Sequence, residues 1–116
     1  LLLRIEALLR RARIEAEKRL VVGSTVLDAE ERSVYVGEKE ITLTVREFDL
    51  LYKLLSYPRR TFSRAQLMDE FWDGETSASL RAVDVYITRI RDKMSVSDDF
   101  KITTVHGLGY KAVPGA

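Results

Sequence analysis

The chain has 116 residues, of which 46% are hydrophobic and 32% charged, with no cysteine and a formal net charge of +1 at pH 7. This composition is typical of one compact folded domain, and it excludes a disulfide scaffold, thiolate metal ligands and an intrinsically disordered chain. No apolar run approaches the roughly 20 residues that cross a bilayer, and no signal peptide is recognisable, so we expect a cytoplasmic protein with no membrane partner.

The first 18 residues contain neither glycine nor proline, and they place Leu1, Ile5, Leu8 and Ala12 at helical spacing. This pattern predicts a helix. It begins with neither an initiator methionine nor a capping residue, which indicates the last helix of a preceding domain followed by a linker. A short dimerising coil is the alternative, although fewer than three heptads are present.

Residues 19–42 change to short β-type runs separated by turn residues. The runs are LVV, TVLD, SVYV and KEITL, and the breaks fall at 23–24, 29–32 and 37–38. This alternation predicts four short antiparallel strands, which would brace the elements that follow.

Two capping boxes mark the starts of the next two helices. The first box, TVRE, begins at Thr44, and its helix should stop just before Pro58. The second box, SRAQ, begins at Ser63, and Asp73-Gly74 should close its helix. The Thr-Phe pair just before Ser63 is expected to pair as one more short strand.

The stretch LRAVDVYITRIRDKM, residues 80–94, predicts an amphipathic helix with Ser79 as its N-cap. Helical spacing places these residues on a stripe that can anchor a core: Leu80, Val83, Ile87, Ile90 and Met94. The opposite face carries Arg81, Ala82, Val85, Thr88, Arg89 and Asp92. Such a mixture of arginines with a valine and a threonine is typical of a helix in a DNA major groove, and an ordinary solvated face is the alternative.

The distribution of charge matters more than the net charge of +1. Residues 20–57 carry four basic and seven acidic groups, whereas residues 81–93 carry four basic and two acidic groups. We therefore expect a cationic face on an acidic body, which is compatible with binding to nucleic acid.

A last hairpin is predicted from KITTV and YKAV, which flank the turn HGLG and end at Pro114-Gly115. Two capped helices joined by a loop and followed by a hairpin are typical of a helix-turn-helix with a wing. The predicted fold class is α+β: a winged helix-turn-helix with an N-terminal four-stranded antiparallel sheet, three helices and a C-terminal β-hairpin wing.

Four consecutive blocks resemble the signature of a known family. They are ITLTVREFDLLYKLL, RTFSRAQLMDEFW, LRAVDVYITRIRDKM and ITTVHGLGYKAV. Over about residues 20–114 the chain is similar to the OmpR/PhoB-type winged-helix effector domain of two-component response regulators. LLLRIEALLRRA likewise resembles the final helix of the receiver domain, so we divide the chain into residues 1–18, a receiver remnant with its linker, and residues 19–116, the DNA-binding domain. The phosphoacceptor aspartate would then lie upstream of this chain.

The resemblance implies sequence-specific binding to double-stranded DNA and control of transcription, and it implies which residues take part. Those expected to face bases are Val85, Thr88 and Arg89. Those expected to contact the phosphate backbone or to lie at the wing are Arg64, Trp72, Arg81, Arg91, Thr104, His106, Tyr110 and Lys111. The loop expected to contact RNA polymerase comprises Asp73, Gly74, Glu75, Thr76 and Ser77. Thr88, Asp92 and His106 depart from the family, where basic residues are more common, and this affects the expected DNA preference and affinity but not the fold.

The resemblance also implies partners: DNA with tandem direct half-sites, RNA polymerase, a sensor histidine kinase acting through the receiver domain, and a second copy in a weak or DNA-dependent homodimer. We expect no cofactor and no metal, because the chain has one histidine and no cysteine. We expect no enzyme, because no nucleophile with its base, no phosphate loop and no dinucleotide fingerprint is present. The alternative function is a winged helix used only for contact with other proteins, which the near-neutral charge permits.

Overall fold

The computed structural model describes residues 18–72 and 79–115. Its elements follow the predicted order: four strands, a helix, one bridging residue, two further helices and a hairpin. The predicted fold class is confirmed. The helix predicted in residues 1–18, apart from Lys18 at its end, and the loop predicted to contact RNA polymerase at residues 73–77 lie outside the described residues.

The strands of the first sheet are β1 (Arg19–Val22), β2 (Thr25–Asp28), β3 (Ser33–Val36) and β4 (Lys39–Ile41), and those of the hairpin are β5 (Phe100–Val105) and β6 (Gly109–Pro114). The helices are α1 (Val45–Ser56), α2 (Arg64–Phe71) and α3 (Leu80–Lys93). No helix within residues 18–72 and 79–115 combines the length and the apolar character that a membrane crossing requires.

The first sheet is an antiparallel meander in the order β1-β2-β3-β4. Its register aligns Leu20, Leu27, Val34 and Ile41 across the four strands, and all four side chains are buried. Because successive strand residues point to opposite faces, this row gives the sheet one apolar face, which belongs to the same core as the helices.

Both predicted capping boxes are formed. At the start of α1 the Thr44 hydroxyl accepts a hydrogen bond from the Glu47 amide, and the Glu47 carboxylate accepts one from the Thr44 amide. Ser63 and Gln66 make the same reciprocal pair at the start of α2. These bonds satisfy amides that the first turn of a helix leaves without a partner, so the two helices begin where the sequence predicts.

α3 crosses the core with Val83, Ile87 and Ile90 fully buried, as the predicted stripe requires. The prediction for Leu80 is wrong, because its side chain is 44% exposed. Leu80 is the first residue of α3, three positions before Val83, the first fully buried residue of the helix. Ser79 occupies the predicted N-cap position, but its hydroxyl makes no capping hydrogen bond.

The two strands of the wing pair with each other, and β6 also pairs with the connection between α1 and α2. Phe62, from the predicted short strand, forms a single bridge with Tyr110 of β6. Its amide donates to the Tyr110 carbonyl at 2.8 Å, and its carbonyl accepts from the Tyr110 amide at 3.0 Å. At the neighbouring Gly109 an added Cβ would lie only 2.0 Å from the Phe62 carbonyl oxygen, so this close approach requires glycine.

Asp99 connects the start of the wing to the turn between β1 and β2. One of its carboxylate oxygens accepts from the Ser24 amide at 3.1 Å, the Ser24 hydroxyl at 2.9 Å and the Thr25 hydroxyl at 2.7 Å. The Ser97 hydroxyl lies 2.7 Å from the Thr25 hydroxyl and shares a hydrogen bond with it. The hydrogen bonds from Thr25, Ser24 and Ser97 outweigh the opposing effect of burial and hold the pKa of Asp99 below its ordinary value of 3.8.

Asp99→Asn should make stability less dependent on pH. A carboxylate with a lowered pKa in the folded state contributes stability above its ordinary value of 3.8 and loses that contribution as the pH falls through the folded value. The urea midpoint of the variant should therefore lie below that of the wild type at about pH 6 and approach it in acid. Asp98→Asn, at the exposed neighbouring position, is the control and should keep the pH profile of the wild type. Parallel profiles for the wild type and Asp99→Asn would contradict the assignment.

Candidate nucleic-acid interface

The outward face of α3 presents the side chains that the sequence predicts for contact with bases. Val85 is 42% exposed, and Thr88 and Arg89 are exposed as well. Thr88 also donates its hydroxyl to the Asp84 carbonyl at 3.0 Å. Because the buried stripe fixes the rotation of the helix, this face is held in one orientation, and Arg81 and Asp92 lie exposed towards its two ends.

Aromatic rings support Arg89 on one side of α3. The Arg89 guanidinium lies 5.3 Å from the centre of the Tyr86 ring. Tyr86 in turn meets Trp72 edge to face at 5.2 Å between ring centres, and Arg46 of α1 lies 4.7 Å over the Trp72 ring. Cation–π contacts of this kind restrict a long side chain without neutralising it, so Arg89 keeps its charge for a ligand.

Trp72, which the resemblance implies as a phosphate contact, is a buried residue. It is only 4% exposed and belongs to the hydrophobic core, and its ring contacts both Arg46 and Tyr86. Contact of the ring with phosphate therefore remains a prediction, and the ring has little surface available for it. Its clear role is to support the neighbouring cationic side chains.

Arg64 and Tyr110, both predicted to contact phosphate, are joined through Asp84, a residue that the sequence analysis did not select. Arg64 Nη1 lies 3.2 Å from one Asp84 oxygen, and the Tyr110 hydroxyl donates to the other at 2.5 Å. Burial and the Asp84 carboxylate both raise the pKa of Tyr110 above its ordinary value of 10.0. The phenol therefore stays protonated at neutral pH and remains a donor.

Arg91, also predicted to contact phosphate, donates hydrogen bonds to the wing. Its Nε and Nη2 donate to the Ile102 carbonyl at 3.1 and 2.8 Å, and Nη2 also donates to the Thr104 hydroxyl at 2.9 Å. Its guanidinium also lies 5.6 Å from the centre of the Tyr110 ring. These contacts fasten α3 to both wing strands, a role that spacing along the sequence does not reveal.

The wing tip is the turn between β5 and β6, at residues 106–108. His106 and Leu108 are exposed there, Thr104 is exposed on β5 and Lys111 is half-buried on β6. A cleft of about 240 Å³ separates the wing from α3, lined by Arg64, Asp84, Thr104, Tyr110 and residues 105–109. The structure thus brings four of the predicted residues to one cleft: Arg64, Thr104, His106 and Tyr110. It adds three residues that contact them or α3: Asp84, Tyr86 and Arg46.

Comparisons with known proteins show sequence and structural similarity over most of the chain. Residues 38–112, more than half of the chain, match the family described as "Transcriptional regulatory protein, C terminal". Heme response regulator HssR of Staphylococcus epidermidis is 37% identical over 112 residues, which cover 96% of this chain and 50% of that protein. The chain therefore spans about half the length of the curated relatives that it matches.

Two solved structures show the same architecture. The response regulator DrrB of Thermotoga maritima, described as an OmpR/PhoB homologue, has a TM-score of 0.74 at 30% identity, covering 93% of this chain and 52% of that one. The DNA-binding domain of Klebsiella pneumoniae RstA, solved in complex with the RstA box, has a TM-score of 0.73 at 28% identity, covering 84% of this chain and 99% of that one.

Proposed function

Because this chain belongs to the OmpR/PhoB-type family of winged-helix DNA-binding effector domains found at the C-termini of transcriptional regulatory proteins, we propose that α3 enters the major groove of double-stranded DNA and that the wing lies beside the adjacent backbone. The observation that carries this proposal is the outward face of α3, where Val85, Thr88 and Arg89 lie exposed on a helix anchored by a buried stripe. RstA, a related domain solved with DNA, supports it.

Within this face the proposed roles follow from side-chain chemistry. Val85 can touch a thymine methyl group, Thr88 can hydrogen-bond to a base edge or to phosphate, and Arg89 can make two hydrogen bonds to a guanine. We assign contacts with the backbone or the minor-groove edge to Arg64, Arg81, Thr104, His106 and Lys111. Trp72, Tyr110 and Arg91 would act indirectly, because Trp72 is buried, the single hydroxyl hydrogen of Tyr110 is donated to Asp84, and Arg91 already donates to the wing.

We further propose that the domain is one part of a cytoplasmic response regulator and has no catalytic activity of its own. Residues 1–18 would end a receiver domain that a sensor histidine kinase phosphorylates, and residues 73–77 would contact RNA polymerase. The near-neutral charge gives a single module little long-range attraction to DNA, so useful affinity would come from two copies on tandem direct half-sites.

Alanine substitutions of two arginines of α3 should distinguish contacts with DNA bases from contacts with the DNA phosphate backbone. Arg89→Ala should cost about 1–3 kcal/mol on the best site and blur the preference at one or two base pairs. Arg81→Ala should weaken binding to all sequences alike and lower the salt slope by about one unit. Affinities on a selected site and on its single-base variants, at several salt concentrations, measure both effects. Uniform losses for both variants would contradict the assignment of the groove.

The alternative function, contact with proteins alone, predicts a different result for the unmodified chain. DNA binding through phosphate contacts should give a mobility shift at low salt that weakens as salt rises. The absence of any such shift with mixed genomic fragments would favour the alternative.

A further inference from the structure

Asp84 lies where α2, α3 and the wing meet, beside the face proposed to bind DNA. It accepts hydrogen bonds from Arg64 at 3.2 Å and from the Tyr110 hydroxyl at 2.5 Å. Its side chain is 37% exposed, so its charge is open to the solvent on that side of the domain. A carboxylate beside a surface that receives phosphate would by charge alone weaken DNA binding. A favourable effect of Asp84 on DNA binding would therefore have to come from its contacts with Arg64 and Tyr110 and not from its charge.

Arg91 makes a parallel connection about two helical turns further along α3. Two of its nitrogens donate three hydrogen bonds to the Ile102 carbonyl and the Thr104 hydroxyl of β5. Asp84 reaches β6 through Tyr110, and the Arg91 guanidinium lies over the ring of that same tyrosine. α3 is thus attached to both strands of the wing, at two points along its length.

We propose that Asp84, together with Arg91, is a positioning residue that sets the wing at a fixed angle to α3 before DNA arrives. Arg64 and Tyr110 are then held in one arrangement in the free protein, so less conformational freedom is lost when DNA binds. This inference rests on the proposed function and adds to it an acidic residue that acts through its intramolecular partners.

Asp84→Asn distinguishes positioning from simple charge repulsion, because the two effects have opposite signs. The substitution removes a negative charge from the DNA-facing side, so repulsion alone predicts tighter binding. Positioning predicts binding about tenfold weaker at fixed salt, because a hydrogen-bonded charged group is lost from the network. Asp69→Asn is the control, since Asp69 is an exposed acid of α2 to which no DNA contact is assigned, and it should bind DNA as tightly as the wild type or more tightly. Unchanged or tighter binding by Asp84→Asn would overturn the proposal.

Tyr110→Phe tests whether Asp84 acts through the tyrosine. If it does, the loss caused by Asp84→Asn should be smaller in the Tyr110→Phe background than in the wild type, because both substitutions break the same hydrogen bond. Losses that simply add would overturn this route. In the same proteins, NMR titration of labelled tyrosines should show a lower pKa for Tyr110 in Asp84→Asn, because the carboxylate no longer opposes the phenolate.

Arg91→Lys provides a second variant whose outcome does not depend on Asp84. Lysine keeps the charge but cannot reproduce the paired donation to the Ile102 carbonyl. Amide exchange in β5 and β6 should become faster, and DNA affinity should fall while the salt slope stays constant. A slope lower by about one unit with unchanged exchange would instead identify Arg91 as a phosphate contact and overturn its positioning role. If the wild type itself gives no salt-sensitive binding to DNA, the proposed function is wrong. The role of Asp84 in the free protein would still be tested by the tyrosine titration.

Discussion

Gly109→Ala should detach the wing from the connection between α1 and α2 and lower the free energy of unfolding by about 3 kcal/mol. Gly109 has φ of +153°, which alanine adopts only with strain, and an added Cβ would lie 2.0 Å from the Phe62 carbonyl oxygen. Relief of this overlap would break the two hydrogen bonds between Phe62 and Tyr110. Urea denaturation measures the stability, and amide exchange in β6 reports the detachment.

Gly107→Ala is the matched control, two residues away in the same wing tip. Gly107 also has positive φ, +76°, but an added Cβ would meet nothing within 4 Å. Only the backbone strain of a left-handed alanine remains, about 1 kcal/mol. Equal losses of unfolding free energy in the two variants would show that the close approach of Gly109 to Phe62 does not affect stability. DNA affinity should fall much further for Gly109→Ala, because Tyr110 and the wing tip lose their fixed position.

Glu47→Ala should cost about 2–3 kcal/mol, a large effect for a charged residue. The Glu47 side chain is 1% exposed, and one of its oxygens accepts from both the Thr44 amide at 2.9 Å and Lys93 Nζ at 2.7 Å. The substitution therefore removes one of the two hydrogen bonds of the capping box of α1 and the ion pair that ties α1 to the last turn of α3. Gln66→Ala removes the equivalent residue of the exposed capping box of α2, and it should cost about 1 kcal/mol or less.

Glu47→Gln separates the charge of this residue from its shape. Burial alone would raise the pKa of Glu47, but hydrogen bonds from Lys93 and Thr44 outweigh it and hold the pKa below its ordinary value of 4.5. The charge thus contributes stability above pH 4.5, and the contribution is lost as the pH falls through the lower folded value. The wild type should lose stability over that range more steeply than Glu47→Gln. Identical slopes would indicate that the charge contributes nothing to stability.

The elements of the fold could be predicted from sequence because their signals are local. Each capping box lies within four residues, and the buried stripe of α3 repeats with the helical period, so neither depends on the rest of the chain. Leu80 shows the limit of periodicity: the pattern gives the direction of a side chain, but it does not say whether the core extends that far.

The internal connections of the candidate site could not be predicted, because their partners are distant in sequence. Asp84 meets Arg64 and Tyr110 across 20 and 26 residues, and Lys93 meets Glu47 across 46. Sequence shows that an arginine can reach phosphate, but it does not show that the donors of Arg91 are already used by a carbonyl of the wing. The resemblance indicated a set of residues for DNA contact, but it did not indicate which of them are used in contacts within the protein.

The hydrogen bonds of Asp99 make the first strands and the wing depend on each other. The Thr25 hydroxyl is fully buried, and its partners Ser97 and Asp99 come from the start of the wing, more than 70 residues away. Without the wing this hydroxyl would lose its partners, and without β1 and β2 the base of the wing would lose its anchor. The matching region of the family begins at residue 38, whereas β1 and β2, which carry Ser24 and Thr25 at their junction, begin at Arg19, so we expect residues 19–37 to be needed for full stability. A protein truncated to residues 38–112 would therefore lose the hydrogen bonds from Ser24 and Thr25 that fix the start of the wing.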